Sequence, residues 1–182
     1  MLEIRFHGRG GQGTVVASVL MANAFFYAKY CVQSFPLFGV ERRGAPVEAY
    51  LRIDKKDILI RTNVYTPDHL VVMDRTLTDS IDVTKGLKKS GIILINSSEP
   101  VESDLFSNFK TAYVDATGIA VKHKLGTRTH PILNTAMLGG LTKVLNLCSM
   151  HDVEKAIKKE VPEFVDNNIK AAEEAFSLVK FI

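Results

Sequence analysis

Cysteine is scarce in this sequence, and that scarcity limits the cofactors the chain can hold. The 182 residues include two cysteines, Cys31 and Cys148, which lie far apart and form no C-x-x-C pair. Iron–sulfur clusters and structural zinc sites need several closely placed thiolate or imidazole ligands. We therefore predict that these two residues alone build neither group, and that both are small buried side chains in a reducing compartment.

Long apolar runs and massed positive charge are also missing. No apolar run approaches the length of a membrane-spanning helix, which is about 20 residues. The N-terminus lacks the pattern of a secretion signal. Lysine and arginine are scattered along the chain, and the net charge is +3. The sequence thus predicts a cytoplasmic protein that binds neither a membrane nor nucleic acid.

Recognisable catalytic patterns are absent from the sequence as well. No serine or cysteine lies in a nucleophile motif such as G-x-S-x-G, and the five histidines show no metal-binding spacing. These observations predict no catalytic residue and no metal site. They indicate a subunit whose reaction centre is supplied by other chains.

The order of strand and helix patterns predicts an α/β fold in one domain, residues 1–182. We expect a three-layer sandwich with a central, mainly parallel sheet and a helical C-terminal third. An antiparallel hairpin of Val47–Ile53 and Ile58–Thr62 is expected as an insertion, and residues 79–89 are weakly helical. In the helical third, Gly139 and Gly140 predict close packing against another backbone.

A glycine-rich stretch separates the first strand pattern, Leu2 to His7, from a helical pattern that begins at Thr14. Glycines at its first, third and sixth places permit a sharp turn, the approach of an anion and close helix packing. The first N–H groups of the helix are candidate donors to such an anion. The candidate binding residues of the turn itself are Gly8, Arg9, Gly10, Gly11, Gln12 and Gly13. His7, beside the turn, is expected to face a ligand. A purely structural corner remains the alternative.

A standard dinucleotide site is disfavoured by the second strand pattern. Such a site needs an acidic residue at the tip of that strand to bind the ribose. Here Cys31 to Phe35 ends at Pro36, and no carboxylate follows until Glu41. NAD and FAD are therefore not the expected ligands.

The loop Pro36 to Pro46 is a second candidate for ligand binding. If it follows a strand adjacent to the first, it flanks a common crevice with the glycine turn. Its candidate residues are Gly39, Glu41, Arg42, Arg43 and Gly44, with the arginines suited to a phosphate group. Glu41 would instead orient an arginine or cross a subunit interface. A solvated turn is the alternative. Asn134, after Pro131, is expected to cap a buried helix or line the crevice.

Three motifs in this order carry a family resemblance: His7 to Gly13, Gly39 to Gly44, and Asn134 to Gly139. Together they closely resemble the gamma subunit, or fused gamma domain, of pyruvate and other 2-oxoacid:ferredoxin (flavodoxin) oxidoreductases. The resemblance covers essentially the whole chain. Phe38 and Ala45 stand where the family motif often has tyrosine and a second glycine, a departure that bears on the identity of the 2-oxoacid.

The resemblance implies a role in a multi-subunit enzyme. Such complexes decarboxylate a 2-oxoacid on thiamine diphosphate, pass electrons through iron–sulfur clusters to ferredoxin or flavodoxin, and release an acyl-coenzyme A. Thiamine diphosphate, magnesium and the clusters are expected on the alpha, beta and delta subunits. The gamma chain is expected to support assembly, with coenzyme A as its candidate ligand, and to be inactive in isolation.

Several alternatives stay open at this point. The two glycine-bearing loops either contact coenzyme A or only dock partner subunits. The small subunit of an indolepyruvate oxidoreductase and a free-standing nucleotide-binding module are the competing functions. In isolation, apolar patches left by absent partners would favour a homodimer. The sequence does not identify the 2-oxoacid.

Overall fold

A computed structural model describes residues 1–37, 44–101 and 103–182. Of the residues predicted to bind a ligand, Gly39, Glu41, Arg42 and Arg43 lie outside these ranges. Gly44 and the whole glycine turn lie within them.

A central sheet of seven strands organises the described residues, in the order β2-β3-β1-β4-β5-β6-β7. Five strands run in one direction, whereas β3 and β7 are antiparallel to their neighbours. The prediction of a mainly parallel sheet is therefore confirmed. The strands are β1 (Leu2–Arg9), β2 (Cys31–Leu37), β3 (Pro46–Asp54), β4 (His69–Val72), β5 (Ile92–Asn96), β6 (Lys110–Val114) and β7 (Lys180–Phe181).

Helices cover one face of the sheet and form most of the core. They are α1 (Thr14–Tyr27), α2 (Ala116–Lys122), α3 (Asn134–Leu145), α4 (Met150–Glu160) and α5 (Val165–Leu178). The apolar side chains of α1, α3, α4 and α5 pack on the buried residues of β1 and β3. The predicted helical C-terminal third is confirmed.

The opposite face of the sheet is covered by irregular chain rather than by long helices. Two short 3-10 turns, Arg75–Asp79 and Asp104–Phe106, lie on this side. Their side chains Leu77 and Phe106 pack in a smaller core with residues such as Ile93 and Ile95 of β5. The α/β fold class is confirmed, with this irregular layer as the third layer.

The predicted hairpin of Val47–Ile53 with Ile58–Thr62 is wrong in its second strand. Antiparallel partners of β3 are β1 on one side and β2 on the other. Residues 58–62 form no strand, because their carbonyl groups face a buried side chain instead of a strand. Arg52, 1% exposed, donates to the carbonyl oxygens of Ile60 and Thr62.

The weak helical pattern over residues 79–89 also gives no α-helix. Arg5 on β1 donates from Nη2 to the carbonyl oxygens of Val83 and Lys85, so these acceptors serve a side chain rather than a helix. Gly86 has φ +78°, and a Cβ atom there would lie 2.2 Å from the carbonyl oxygen of Tyr65. A buried arginine and a glycine contact thus determine this segment's conformation.

The described helices are all too short or too polar to cross a membrane.

Candidate functional site

A large cleft opens at the carboxyl edge of β1, β4, β5 and β6. Its volume is about 1030 Å³, at the upper end of the ~300–1,000 Å³ typical of ligand pockets. This edge of a parallel sheet is where α/β proteins commonly bind ligands. The lining comes from the glycine turn, the ends of β4 and β5, the start of α2 and the segment Thr129 to Asn134.

Gly44, in the described end of the second predicted loop, meets the glycine turn at this cleft, but not for the reason expected. The strands β1 and β2 are not adjacent, because β3 is inserted between them. Residues 44 and 45 instead reach the glycine turn because β3 begins beside the end of β1. Gly44 N donates to Gly10 O at 3.0 Å, and Gly10 N donates to Ala45 O at 2.9 Å.

The glycine turn needs its glycines for two physical reasons. Gly11 and Gly13 have φ values of +93° and +76°, which side chains rarely adopt. At Gly8, a Cβ atom would lie 2.0 Å from Thr14 Oγ1, so glycine permits close packing of β1 on α1. These observations explain the glycines at positions 8, 11 and 13, and Gly13 and Val16 at the start of α1 line the cleft.

The first turn of α1 presents backbone donors at the cleft. Its N-cap, Gly13, supplies no side-chain acceptor, and no acidic residue lies in the first turn. Within residues 1–37, 44–101 and 103–182, the N–H groups of Thr14, Val15 and Val16 have no hydrogen-bond acceptor. Free N–H groups and the positive end of the helix dipole favour a bound anion.

Asn134 lies directly beside this helix start. It is the first residue of α3 and is 7% exposed. Its Oδ1 accepts from Thr135 N at 2.8 Å, while Nδ2 has no hydrogen-bond partner in the part of the chain that the structure describes. A Cβ atom on Gly13 would lie 3.2 Å from this Nδ2. Asn134 therefore lines the crevice with its amide donor unused. The predicted capping role is wrong, because the N-cap of α3 is Leu133 and no side chain caps the helix.

Arg9 lies in the cleft wall, but its guanidinium group is already engaged. It donates to Asp74 Oδ2 at 3.0 Å, to Gly44 O at 3.1 Å and to Thr76 Oγ1 at 2.8 Å. Gln12 is engaged too, because its Oε1 accepts from Arg9 N and its Nε2 donates to Asp74 Oδ2. These side chains hold the turn together rather than pointing freely into the cleft.

Sequence reasoning missed several residues on the far wall. Asn96 Nδ2 donates to Met73 O and to Thr117 Oγ1, which ties the ends of β4 and β5 to α2. Asp115 is the N-cap of α2, and its Oδ1 accepts from Gly118 N. It therefore puts a negative charge at the N-terminal end of α2. An anion is therefore favoured near α1 and α3 rather than near α2. A polar residue after each buried strand was the signal available in the sequence.

His7 does not face the cleft, contrary to expectation. Its side chain is 2% exposed under the sheet, and its Nε2 accepts from Arg5 Nε at 2.9 Å. Burial lowers the pKa of His7 to about 4, so the ring is neutral near pH 7. Alternation along β1 explains this placement, because Arg5 and His7 share the face opposite α1.

Candidate metal ligands do not cluster in the described residues. No group of three or more histidine, cysteine, aspartate or glutamate residues in these ranges could hold a metal ion. Cys31 and Cys148 are both free thiols in the structure.

A mainly parallel sheet with a cleft at its carboxyl edge places the chain among the α/β proteins with an open sheet. Residues 3–178 match the family model described as pyruvate ferredoxin/flavodoxin oxidoreductase. The chain belongs to this family, and the predicted role as a gamma-type subunit of an oxoacid:ferredoxin oxidoreductase is confirmed.

Two named relatives match this chain over nearly the whole length of both sequences. Pyruvate synthase subunit PorC of Methanocaldococcus jannaschii is 49% identical, over 97% of this chain and 96% of the relative. The pyruvate/ketoisovalerate oxidoreductases common subunit gamma of Thermococcus kodakarensis is 50% identical, with the same two coverages. These relatives favour the gamma-subunit role over the two competing functions.

Solved structures share the same fold. Pyruvate oxidoreductase subunit PORC of Thermotoga maritima has a TM-score of 0.83 and 36% identity, over 99% of this chain and 97% of that one. The 2-oxoglutarate:ferredoxin oxidoreductase of Magnetococcus marinus, with 2-oxoglutarate, coenzyme A and succinyl-CoA bound, has a TM-score of 0.73. At 19% identity, over 97% of this chain and 30% of that one, it shows the fold alone.

Proposed function

We propose that this chain serves a pyruvate-type oxidoreductase by binding coenzyme A in the cleft, with a phosphate group held between α1 and α3. The observation that carries this proposal is Asn134, buried to 7% exposure beside Gly13 with its amide donor unused in the described residues. An amide donor that lines a cleft and has no protein partner can donate to a group of a bound ligand.

The rest of the cleft supports a ligand that is polar at one end and apolar along its length. Val16 and Ile132 line it and are 50% and 49% exposed. The pantetheine arm of coenzyme A would lie along these side chains, while its phosphates face the helix start. Coenzyme A is also bound in the 2-oxoglutarate enzyme that shares this fold.

The reaction itself belongs to the assembled enzyme in this proposal. Alpha, beta and delta subunits would carry thiamine diphosphate, magnesium and the iron–sulfur clusters, and electrons would pass to ferredoxin or flavodoxin. The two cysteines of this chain are too few to hold a cluster. The contribution of this chain would be to bind the acyl acceptor and to complete the assembly. A homodimer of the isolated chain stays a prediction.

Replacing Asn134 by aspartate tests the coenzyme A role. The change keeps the size of the side chain and the acceptor for Thr135 N, but removes the amide donor and adds a negative charge. Aspartate is also favourable in the first turn of a helix, so α3 should fold. We expect the KM for coenzyme A to rise about tenfold to hundredfold, about 1.4 to 2.8 kcal/mol, with the KM for pyruvate unchanged.

The measurement uses the complete complex, purified anaerobically, with pyruvate-dependent ferredoxin reduction followed against coenzyme A concentration. Asn167→Asp is the matched control, because Asn167 also lies in the first turn of a helix, α5, and donates to His123 O. An unchanged KM in Asn134→Asp would reject the coenzyme A role. Loss of this subunit from the complex would instead favour a cleft that only docks partners.

A further inference from the structure

The carboxylate of Asp74 is the centre of the hydrogen bonds that shape the glycine turn. Its Oδ2 accepts from Arg9 Nε at 3.0 Å and from Gln12 Nε2 at 2.9 Å. Its Oδ1 accepts from Thr76 N at 3.0 Å and from Thr76 Oγ1 at 2.6 Å. One residue at the end of β4 therefore holds two side chains of a turn that lies more than 60 residues earlier.

The charge state of Asp74 fits this role. Burial by itself would raise the pKa of Asp74, but hydrogen bonds from Thr76 and Gln12 and the charge of Arg9 outweigh it. The pKa is therefore held below its ordinary value, and the group is a carboxylate that accepts at both oxygens. Its side chain is 18% exposed, so these contacts are only partly screened by water.

A glycine-rich turn needs such a constraint. Gly10, Gly11 and Gly13 have no side chains with which to pack, and glycine loses more backbone entropy on ordering than any other residue. The turn must nevertheless hold the first N–H groups of α1 at a fixed position next to Asn134. Gln12 supplies the missing constraint, because its Oε1 accepts from Arg9 N and its Nε2 donates to Asp74 Oδ2.

We infer that Asp74 is a positioning residue for the ligand in this cleft, and that Arg9 acts through Asp74 rather than as a phosphate ligand. The inference rests on the proposed coenzyme A role. Phosphate contacts then come from backbone N–H groups of α1 and the Asn134 amide. Arg9 has its Nε, Nη1 and Nη2 atoms bonded to Asp74, Gly44 and Thr76, which leaves it poorly placed to bind a phosphate.

A double-mutant cycle in the assembled complex tests this inference. Asp74→Asn, Arg9→Ala and the double variant are compared by the KM for coenzyme A and by kcat. We expect each single variant to raise the KM about tenfold with kcat little changed, because the turn is misplaced while the reaction centre is intact. The double variant should also raise the KM for coenzyme A about tenfold, because both changes break the same contact.

Asp68→Asn is the matched control. Asp68 directly precedes the same strand, β4, at its opposite end, and it also forms an ion pair, with Lys88. It lies outside the cleft, so the KM for coenzyme A should not change. Subunit stoichiometry of every purified complex is measured alongside. If Asp74→Asn loses the subunit, Thr76→Val decides. It removes the hydroxyl that donates to Asp74 Oδ1 and accepts from Arg9 Nη2, and it keeps the carboxylate. We expect it to raise the KM about threefold.

Three results would overturn the positioning role. A double variant with about a hundredfold higher KM would show that Arg9 contacts the ligand directly. An unchanged KM for coenzyme A in Asp74→Asn would show that the turn does not need the carboxylate. If the Asp74→Asn complex cannot be assembled, an unchanged KM in Thr76→Val would show the same. If Asn134→Asp raises the KM while these variants do not, only the positioning role fails. If Asn134→Asp also leaves the KM unchanged, coenzyme A binding by this cleft fails as well.

Discussion

Replacing Gly139 by alanine is expected to lower the free energy of unfolding by about 3 kcal/mol or more. Gly139 lies in α3, where the backbone of α5 approaches closely. A Cβ atom at Gly139 would lie 1.9 Å from the carbonyl oxygen of Ala172 and 2.6 Å from its carbonyl carbon. Backbone atoms of a packed helix cannot rotate away as a side chain can, so α3 and α5 would have to move apart.

Gly140→Ala is the matched control, one residue further along α3. Its Cβ atom would meet only side-chain atoms, with Val114 Cγ1 at 3.2 Å and Leu94 Cδ2 at 3.4 Å. Small side-chain shifts can relieve this contact, and alanine gains roughly 0.5–1 kcal/mol over glycine in a helix. The midpoints of thermal unfolding of the two variants should therefore differ clearly. We expect the midpoint of Gly139→Ala to be lower by roughly 6–12 °C and that of Gly140→Ala to lie near the midpoint of the parent chain. Equal midpoints would contradict the close approach of the two helices.

Replacing Arg52 by methionine is expected to destabilise the protein by about 3–5 kcal/mol. Arg52 is 1% exposed and pairs with Glu3, whose side chain is 14% exposed, at 2.8 Å. It also donates to Gln33 Oε1 and to the carbonyl oxygens of Ile60, Thr62 and Asn63. Methionine fills similar space, so the cost comes from leaving a partly buried carboxylate and several carbonyl groups without a donor.

Denaturant unfolding of three variants checks this account. Arg52→Met should shift the midpoint strongly, and adding Glu3→Gln should recover part of the loss because the unpaired charge disappears. Lys122→Met, which breaks the exposed pair with Glu174, should have little effect because water screens that pair. If Arg52→Met and Lys122→Met behave alike, the buried pair does not hold residues 58–62 on the sheet.

Local sequence patterns predicted the parts of the molecule that local physics controls. The glycine turn lies between a strand and a helix because its residues permit positive φ and close packing over a few positions. Gly139 predicted a close backbone contact because glycine in a helix interior has a cost that packing must offset. The helical C-terminal third followed from the same kind of short-range pattern.

The sequence did not reveal contacts between distant segments. Residues 58–62 follow a polar turn and were predicted to be the partner of the preceding strand, but Arg52 takes the carbonyl groups of Ile60 and Thr62, and nothing nearby in the sequence signals this. The insertion of β3 between β1 and β2 likewise depends on pairing along its whole length on both sides. Arg9 pairs with Asp74, a residue far along the chain that no local pattern places beside it.

The amino-acid sequence by itself determined the strand–turn–helix unit and the fold class, because these depend on periodicity and on glycines at fixed spacing. The family followed from the resemblance that three ordered motifs carry. Tertiary structure alone decided which side chains line the cleft and which are occupied. Asn134 keeps a free amide donor in the described residues, and Arg9 does not keep a free guanidinium. The physical reason is that a hydrogen bond between distant residues depends on how strands and helices pack, which no short segment encodes.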